Sequence, residues 1–166
     1  MDIRAPAATV RNFFRHPDMV LRLNPSWHVK DTKTTGDNEY SLVLYDDGTE
    51  DSITLTLAVE ETGQAISYRM NSGHIEFLME DIRPQLTKLS VRGDFFRAED
   101  LPYWLNGIRN YIRLVEKKSR GMKWFLDRFW LRMTPSQRRI VVILLLAEGI
   151  GLAALVAVAI ALQFMK

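Results

Sequence analysis

The chain has no cysteine. That excludes disulfides, thiolate metal sites and a cysteine nucleophile, and it fits a reducing compartment. Histidine is nearly as scarce: His16, His28 and His74 are the three present. No two of them have metal-ligand spacing on one element, so neither a metal nor a cofactor is expected. His16 falls at a helix end, where its charge suits the dipole; His28 opens a strand and His74 follows a turn. There is no Gly-x-Ser-x-Gly, no phosphate loop and no glycine-rich dinucleotide fingerprint. The acidic run Asp46, Asp47, Glu50 and Asp51 lacks the register of an EF-hand loop and reads as a solvated hairpin tip. Met1-Asp2-Ile3-Arg4-Ala5-Pro6 contains no apolar stretch, so no cleavable signal peptide is expected.

Acidic side chains are missing from one region. Residues 101–166 carry eleven Lys and Arg but three Asp and Glu, a net of +8, whereas residues 1–100 carry eleven against seventeen, a net of −6. The overall +2 and the pI near 9 are therefore no argument for a nucleic-acid partner. The excess lies at Lys117, Lys118, Arg120, Lys123, Arg128, Arg132, Arg138 and Arg139, just before residue 140.

Long apolar runs are absent with one exception. Residues 140–162 read IVVILLLAEGIGLAALVAVAIAL, with Glu148 as the single charge. A helix of that length spans roughly 35 Å, enough for a ~30 Å hydrocarbon core with some tilt. Residues 139–166 are expected to be one transmembrane helix. The cationic flank places the preceding domain in the cytoplasm, as a cell-membrane protein with a C-terminal anchor. Such a flank is drawn to anionic membrane lipid at about 1 kcal/mol per cation near the surface. Inside the span, Gly149, Ala153, Ala157 and Ala161 repeat every fourth residue, a stripe that lets a second helix approach. Glu148 at that depth is a functional residue by default: it pairs with a partner, or it reaches back to the headgroups. A homodimer or a membrane partner through this helix is the expectation.

Residues 119–138 form the approach to the span. Over 121–133, Met122, Phe125, Leu126, Phe129, Trp130 and Met133 fill one arc of about 140°, with cations opposite. This pattern suits a helix lying in the bilayer interface, with Trp124, Phe125, Phe129, Trp130, Arg138 and Arg139 as interface residues. The competing reading docks the helix on the preceding domain. Pro135 breaks it, and Thr134 or Ser136 caps the helix that follows.

Residues 1–118 form one domain. Pro6 opens a helix carrying Val10, Phe13 and Phe14, which ends at His16-Pro17; a second short helix stops at Asn24-Pro25. From Trp27 the apolar period changes to two. Leu42 and Leu44, Ile53 to Val59, Ile66 to Met70, Ile75 to Met79 and Leu86 to Phe95 read as strands joined by tight turns, an antiparallel meander. Residues 98–118 then carry Leu101, Trp104, Leu105, Ile108, Ile112 and Val115 on one stripe of a long helix, with Asp100 as its N-cap, Pro102 just inside and Gly107 marking a bend or a close approach.

Local sequence adds to this. Ile3-Arg4-Ala5-Pro6-Ala7-Ala8-Thr9-Val10 with Phe13-Phe14, then Asn24-Pro25-Ser26-Trp27-His28-Val29, then Pro84-Gln85-Leu86-Thr87-Lys88-Leu89-Ser90-Val91 resemble segments of the START-like (SRPBCC) superfamily, which includes polyketide cyclase/dehydrase domains. The resemblance covers residues 1 to about 118. It implies an α+β helix-grip fold: a curved antiparallel sheet around a long C-terminal helix, two short helices near the N-terminus, and a cavity between sheet and helix. The family's first strand is usually longer than the few residues before Ala5-Pro6 allow. It has no universal catalytic residues, so none is assigned here.

The resemblance points to Tyr40, Leu42, Leu55, Tyr68, Phe77, Met79, Trp104, Ile108 and Tyr111 as cavity candidates; the bland alternative is that they fill a core. Three functions follow. The first is a membrane-tethered domain binding a hydrophobic small molecule or lipid. The second is a polyketide-cyclase-like enzyme, which needs a general base that the sequence does not identify. The third is a non-enzymatic membrane adaptor with a filled core.

Overall fold

Period-two segments from Trp27 onward pair with their neighbours in sequence order, as tight turns require. The computed structural model describes residues 1–116 and 120–164, with their side chains except at 120, 122, 123, 135 and 155–164. A short β1 (Asp2–Ile3) leads into α1 (Ala7–Phe14) and α2 (Pro17–Arg22). The meander follows: β2 (Trp27–Gly36), β3 (Glu39–Asp46), β4 (Asp51–Thr62), β5 (Ala65–Met70), β6 (Gly73–Arg83) and β7 (Leu86–Gly93). Helix α3 (Leu101–Glu116), α4 (Arg120–Arg128), a 3-10 turn (Trp130–Arg132) and α5 (Pro135–Phe164) complete the chain.

The seven strands form one antiparallel sheet in the order β1-β7-β6-β5-β4-β3-β2. The first strand is only two residues long; it pairs Asp2 with Lys88 and Ile3 with Thr87. Bulges in β2 and β6 bend the sheet. Register stacks Leu42 opposite Leu55, Ile66 opposite Phe77 and Met79 opposite Leu89, so the alternating residues share one buried face. Ile53 departs from the strand pattern: it is 42% exposed near the β3–β4 turn, although its partner Leu44 is buried.

Helix α3 lies across that buried face. It spans Leu101–Glu116, shorter than the 98–118 expected, and the domain boundary at 118 lies outside the described residues. Asp100 precedes it and its backbone carbonyl accepts the Trp104 N–H at 2.9 Å, but its side-chain Oδ2 is buried without a hydrogen-bond partner. Gly107 marks a close approach: a Cβ there would sit 3.1 Å from the Leu23 carbonyl oxygen.

The expected helix over 121–133 is corrected by the structure. Helix α4 stops at Arg128, and the chain tightens into the 3-10 turn. The cause is Leu131, placed on the polar side by helical spacing; the tighter turn carries it into the domain, where it is 1% exposed. Helix α5 starts with a capping box. The Thr134 hydroxyl accepts the Gln137 N–H at 3.2 Å, and the Gln137 side-chain oxygen accepts the Thr134 N–H at 2.9 Å. The backbone of α5 is helical over thirty residues. Among the described residues no helix is long and apolar enough to cross a membrane. The second half of the apolar run, 155–162, lies beyond the described side chains.

Candidate functional site

The space between the sheet and α3 is where a helix grip would hold a ligand. Here aromatic rings meet one another across it. Phe14 and Phe77 have centroids 4.4 Å apart, Tyr68 and Phe77 5.1 Å, Phe77 and Trp104 6.0 Å, and Trp27 and Trp104 5.6 Å. The polar handles of these rings are already engaged. The Tyr68 hydroxyl donates to the Phe14 carbonyl, and the Trp104 indole N–H donates to the Val20 carbonyl at 2.8 Å. Burial raises the Tyr68 phenol well above its usual range, so it stays a neutral donor.

A void wide enough for one water would leave accessible area on the side chains around it. Leu42, Leu55, Tyr68, Phe77, Trp104 and Ile108 have 0%, and Met79 has 1%. Of the nine cavity candidates, these seven are packed core. Tyr40 is half-buried against the same core. Tyr111 points away from it, its hydroxyl donating to the Asp127 carboxylate of α4 at 2.7 Å. Burial and this partner both raise the Tyr111 phenol.

The clefts lie elsewhere. One cavity of about 210 Å³ is lined by residues of α1, α2, α3 and α4 and their ends, among them Asn12, Phe13, His16, Tyr111 and Asp127. A second cleft of about 420 Å³ is polar, with Asp18, Arg22, His28, Thr32, Asp127 and Arg132 on its walls. His28 Nδ1 and Thr32 Oγ1 are buried there without a hydrogen-bond partner. Burial lowers the His28 pKa, and Arg22 and Arg138 lower it further. A third groove, about 530 Å³, runs between the α2–β2 connection and the start of α5; Leu23, Pro25, Trp130, Arg138, Arg139, Val142 and Ile143 line it.

The expected interface residues divide. Trp124, Phe125 and Phe129 form an exposed aromatic ridge, 62%, 43% and 44% accessible, with Phe129 stacked on Phe125 and edge-on to Trp124. Trp130 is half-buried. Arg139 is exposed, and Arg138 is half-buried and turns towards the domain. Its guanidinium donates to the carbonyls of Trp130, Met133, Arg22 and Leu131 at 3.0–3.3 Å. Helix spacing places Arg138 one turn after Thr134, facing the orphan carbonyls of the 3-10 turn. Such a latch is invisible to sequence reasoning, because its acceptors are backbone atoms. Helix α4 is thus tied to α3 through Asp127, while the aromatic ridge of Trp124, Phe125 and Phe129 stays outward. Ser136 adds a tie to the hairpin tip, donating to the Asp47 carboxylate at 2.9 Å. On α5, Glu148, Gly149 and Ala153 are exposed; Ala157 and Ala161 lie outside the described side chains.

No family model matches the chain, and no curated protein matches it. Solved structures do. The di-domain ARO/CYC StfQ from the steffimycin biosynthetic pathway is similar with a TM-score of 0.50 at 10% identity, over 70% of this chain and 45% of that one. A conserved protein from Geobacillus kaustophilus reaches 0.49 at 9% identity, over 68% and 91%. A conserved protein of unknown function from Enterococcus faecalis reaches 0.43 at 17% identity, over 68% and 67%. The likeness to StfQ is one of fold alone: a curved antiparallel sheet packed against a long helix.

Proposed function

We propose that this chain is a membrane-tethered helix-grip module that works as a non-catalytic adaptor, with its membrane-proximal face, rather than its interior, as the working surface. The observation that carries the reading is the filled grip: seven candidate cavity residues, including Tyr68, Phe77 and Trp104, are at most 1% exposed. A ligand of any size between sheet and α3 would have to displace packed aromatic rings, and rearranging a close-packed core is costly. The polar groups inside are engaged with backbone carbonyls, leaving neither Tyr68 nor Trp104 to act on a substrate.

Tethering is supported by the apolar run 140–162, the cationic residues before it, the helical backbone of α5, and the exposed ridge of Trp124, Phe125 and Phe129 beside its start. Thirty helical residues rise roughly 45 Å, of which the apolar residues 140–154 with described side chains make up half. A cytoplasmic location of the domain and association through Gly149, Ala153 and Ala157 belong to the same proposal.

A second reading, binding of a small hydrophobic molecule as in START-like domains, is favoured by the cavity of about 210 Å³ among the helices, where Tyr111 and Asp127 supply polar groups to apolar walls. It would place the ligand among the helices and not against the sheet.

The test uses full-length protein in phosphatidylcholine vesicles containing brominated lipid. Brominated lipid quenches part of the wild-type tryptophan emission, and Trp124→Phe, which leaves the buried Trp27 and Trp104 in place, reduces the quenched part. Absence of quenching in the wild type, or full-length protein left in the supernatant after detergent-free lysis and high-speed centrifugation, overturns the tether.

A further inference from the structure

Arg22 and Arg138 lie half-buried where α2, the 3-10 turn and α5 meet. Their donors end on backbone carbonyls: Arg138 on Arg22, Trp130, Leu131 and Met133, and Arg22 on Val29 and Leu131. Carbonyls solvate a cation but do not neutralise it. Among the described residues, no carboxylate lies within 4.0 Å of Arg22, Arg132, Arg138 or Arg139. Asp18 acts on Arg22 from farther off. Two guanidinium charges, partly removed from water and close to each other, make a costly arrangement that an anion would relieve.

The same corner opens onto the groove of about 530 Å³. Leu23, Pro25, Trp130, Val142 and Ile143 make its walls apolar, while Arg139 stands exposed at the rim. A cationic end joined to an apolar trough matches an amphiphile with an anionic head. The groove also sits where the basic flank gives way to the apolar run, at the depth of lipid headgroups if the tether is correct.

We propose that this groove binds one anionic glycerophospholipid, its phosphate beside Arg138 and Arg139 and one acyl chain along Leu23, Val142 and Ile143. The proposal rests on the membrane reading above and deepens it by naming the lipid class. It differs from the diffuse attraction of any basic flank to an anionic surface, because it depends on the shape of one groove as well as on charge.

The test is native mass spectrometry of full-length protein in non-ionic detergent, titrated with palmitoyl-oleoyl phosphatidylglycerol or the corresponding phosphatidylcholine. One phosphatidylglycerol per chain is retained, with a preference of about tenfold. Arg139→Gln reduces that preference to about threefold or less, and Ile143→Trp, which fills the trough with a residue tolerated at interfaces, removes retention. Equal retention of the two lipids, or retention unchanged by Ile143→Trp, overturns the site. A dimeric mass that Ile143→Trp dissociates also overturns it, because a second copy then occupies the groove. Flotation on vesicles of phosphatidylcholine alone separates the two ideas. A chain that floats without lipid preference refutes only the site; one that does not float refutes the tether as well.

Discussion

Trp104 and Val20, 84 positions apart in the chain, are joined by a hydrogen bond of 2.8 Å from the indole N–H to the carbonyl. The bond ties the gripped helix to α2, which also packs against β2. Val20 itself is fully buried, and its carbonyl also accepts the Leu23 N–H at 3.3 Å. Trp104 therefore fills the grip and satisfies a buried backbone acceptor at once.

Trp104→Ala removes both contributions. A loss of about 3–5 kcal/mol is expected for a large aromatic cut back in a core, read as a lower denaturant midpoint. The space left is apolar and dry, so benzene should raise the melting temperature of the variant and leave the wild type unmoved. A wild type stabilised to the same extent would mean that the grip already holds a cavity.

Tyr68→Phe deletes one oxygen and leaves the Phe14 carbonyl buried without its donor. The cost is about 1–3 kcal/mol, with little change in shape. An unchanged melting temperature would show that this hydroxyl is not a structural bond.

Arg138→Ala cuts the latch between α5 and the domain. Four carbonyls lose a charged donor. A local loss of about 2 kcal/mol raises the open population roughly 30-fold. Tryptic cleavage at the exposed Arg132 should accelerate accordingly, and Arg138→Lys should not restore protection, because a single ammonium cannot reach all four acceptors. Cleavage at the wild-type rate in Arg138→Ala would show that the carbonyls of the turn hold without it.

His28 makes stability depend on pH in a defined direction. Its folded pKa is lowered by burial, then by Arg22 and Arg138. Below the unfolded value of about 6.5, the unfolded chain therefore takes up a proton that the folded one resists. Stability is at its plateau above about pH 6.5 and falls as the pH drops from there towards the folded pKa. His28→Gln should flatten that slope in melting curves of the full-length protein between about pH 5 and 7.5. A slope that survives the substitution belongs to other groups.

Much of the fold was legible because its signals are local. Alternation at Leu42, Leu44, Leu55 and Leu57 marked the buried face, and all four are buried. The turns at Asp46-Asp47-Gly48 and Asn71-Ser72-Gly73 separate the strands as the residues suggest. Thr134 is one of two caps that the sequence offers α5, and the capping box uses it. Other features were not legible. Leu131 faces the polar side of a continuous helix, so its burial needs the 3-10 turn that only docking induces. Arg138 reads as a headgroup cation because nothing in its neighbourhood along the chain reveals that the carbonyl of Arg22 lies beside it.

The amino-acid order alone determined the antiparallel meander, the amphipathic α3 and the separation of a mixed-polarity domain from one apolar run, because each depends on residue spacing within a few turns or strands. Whether the grip encloses a void was decided only in three dimensions. That outcome depends on whether the rings of Phe14, Tyr68, Phe77 and Trp104, brought together from four separate elements, sum to the volume between sheet and helix, and here they do.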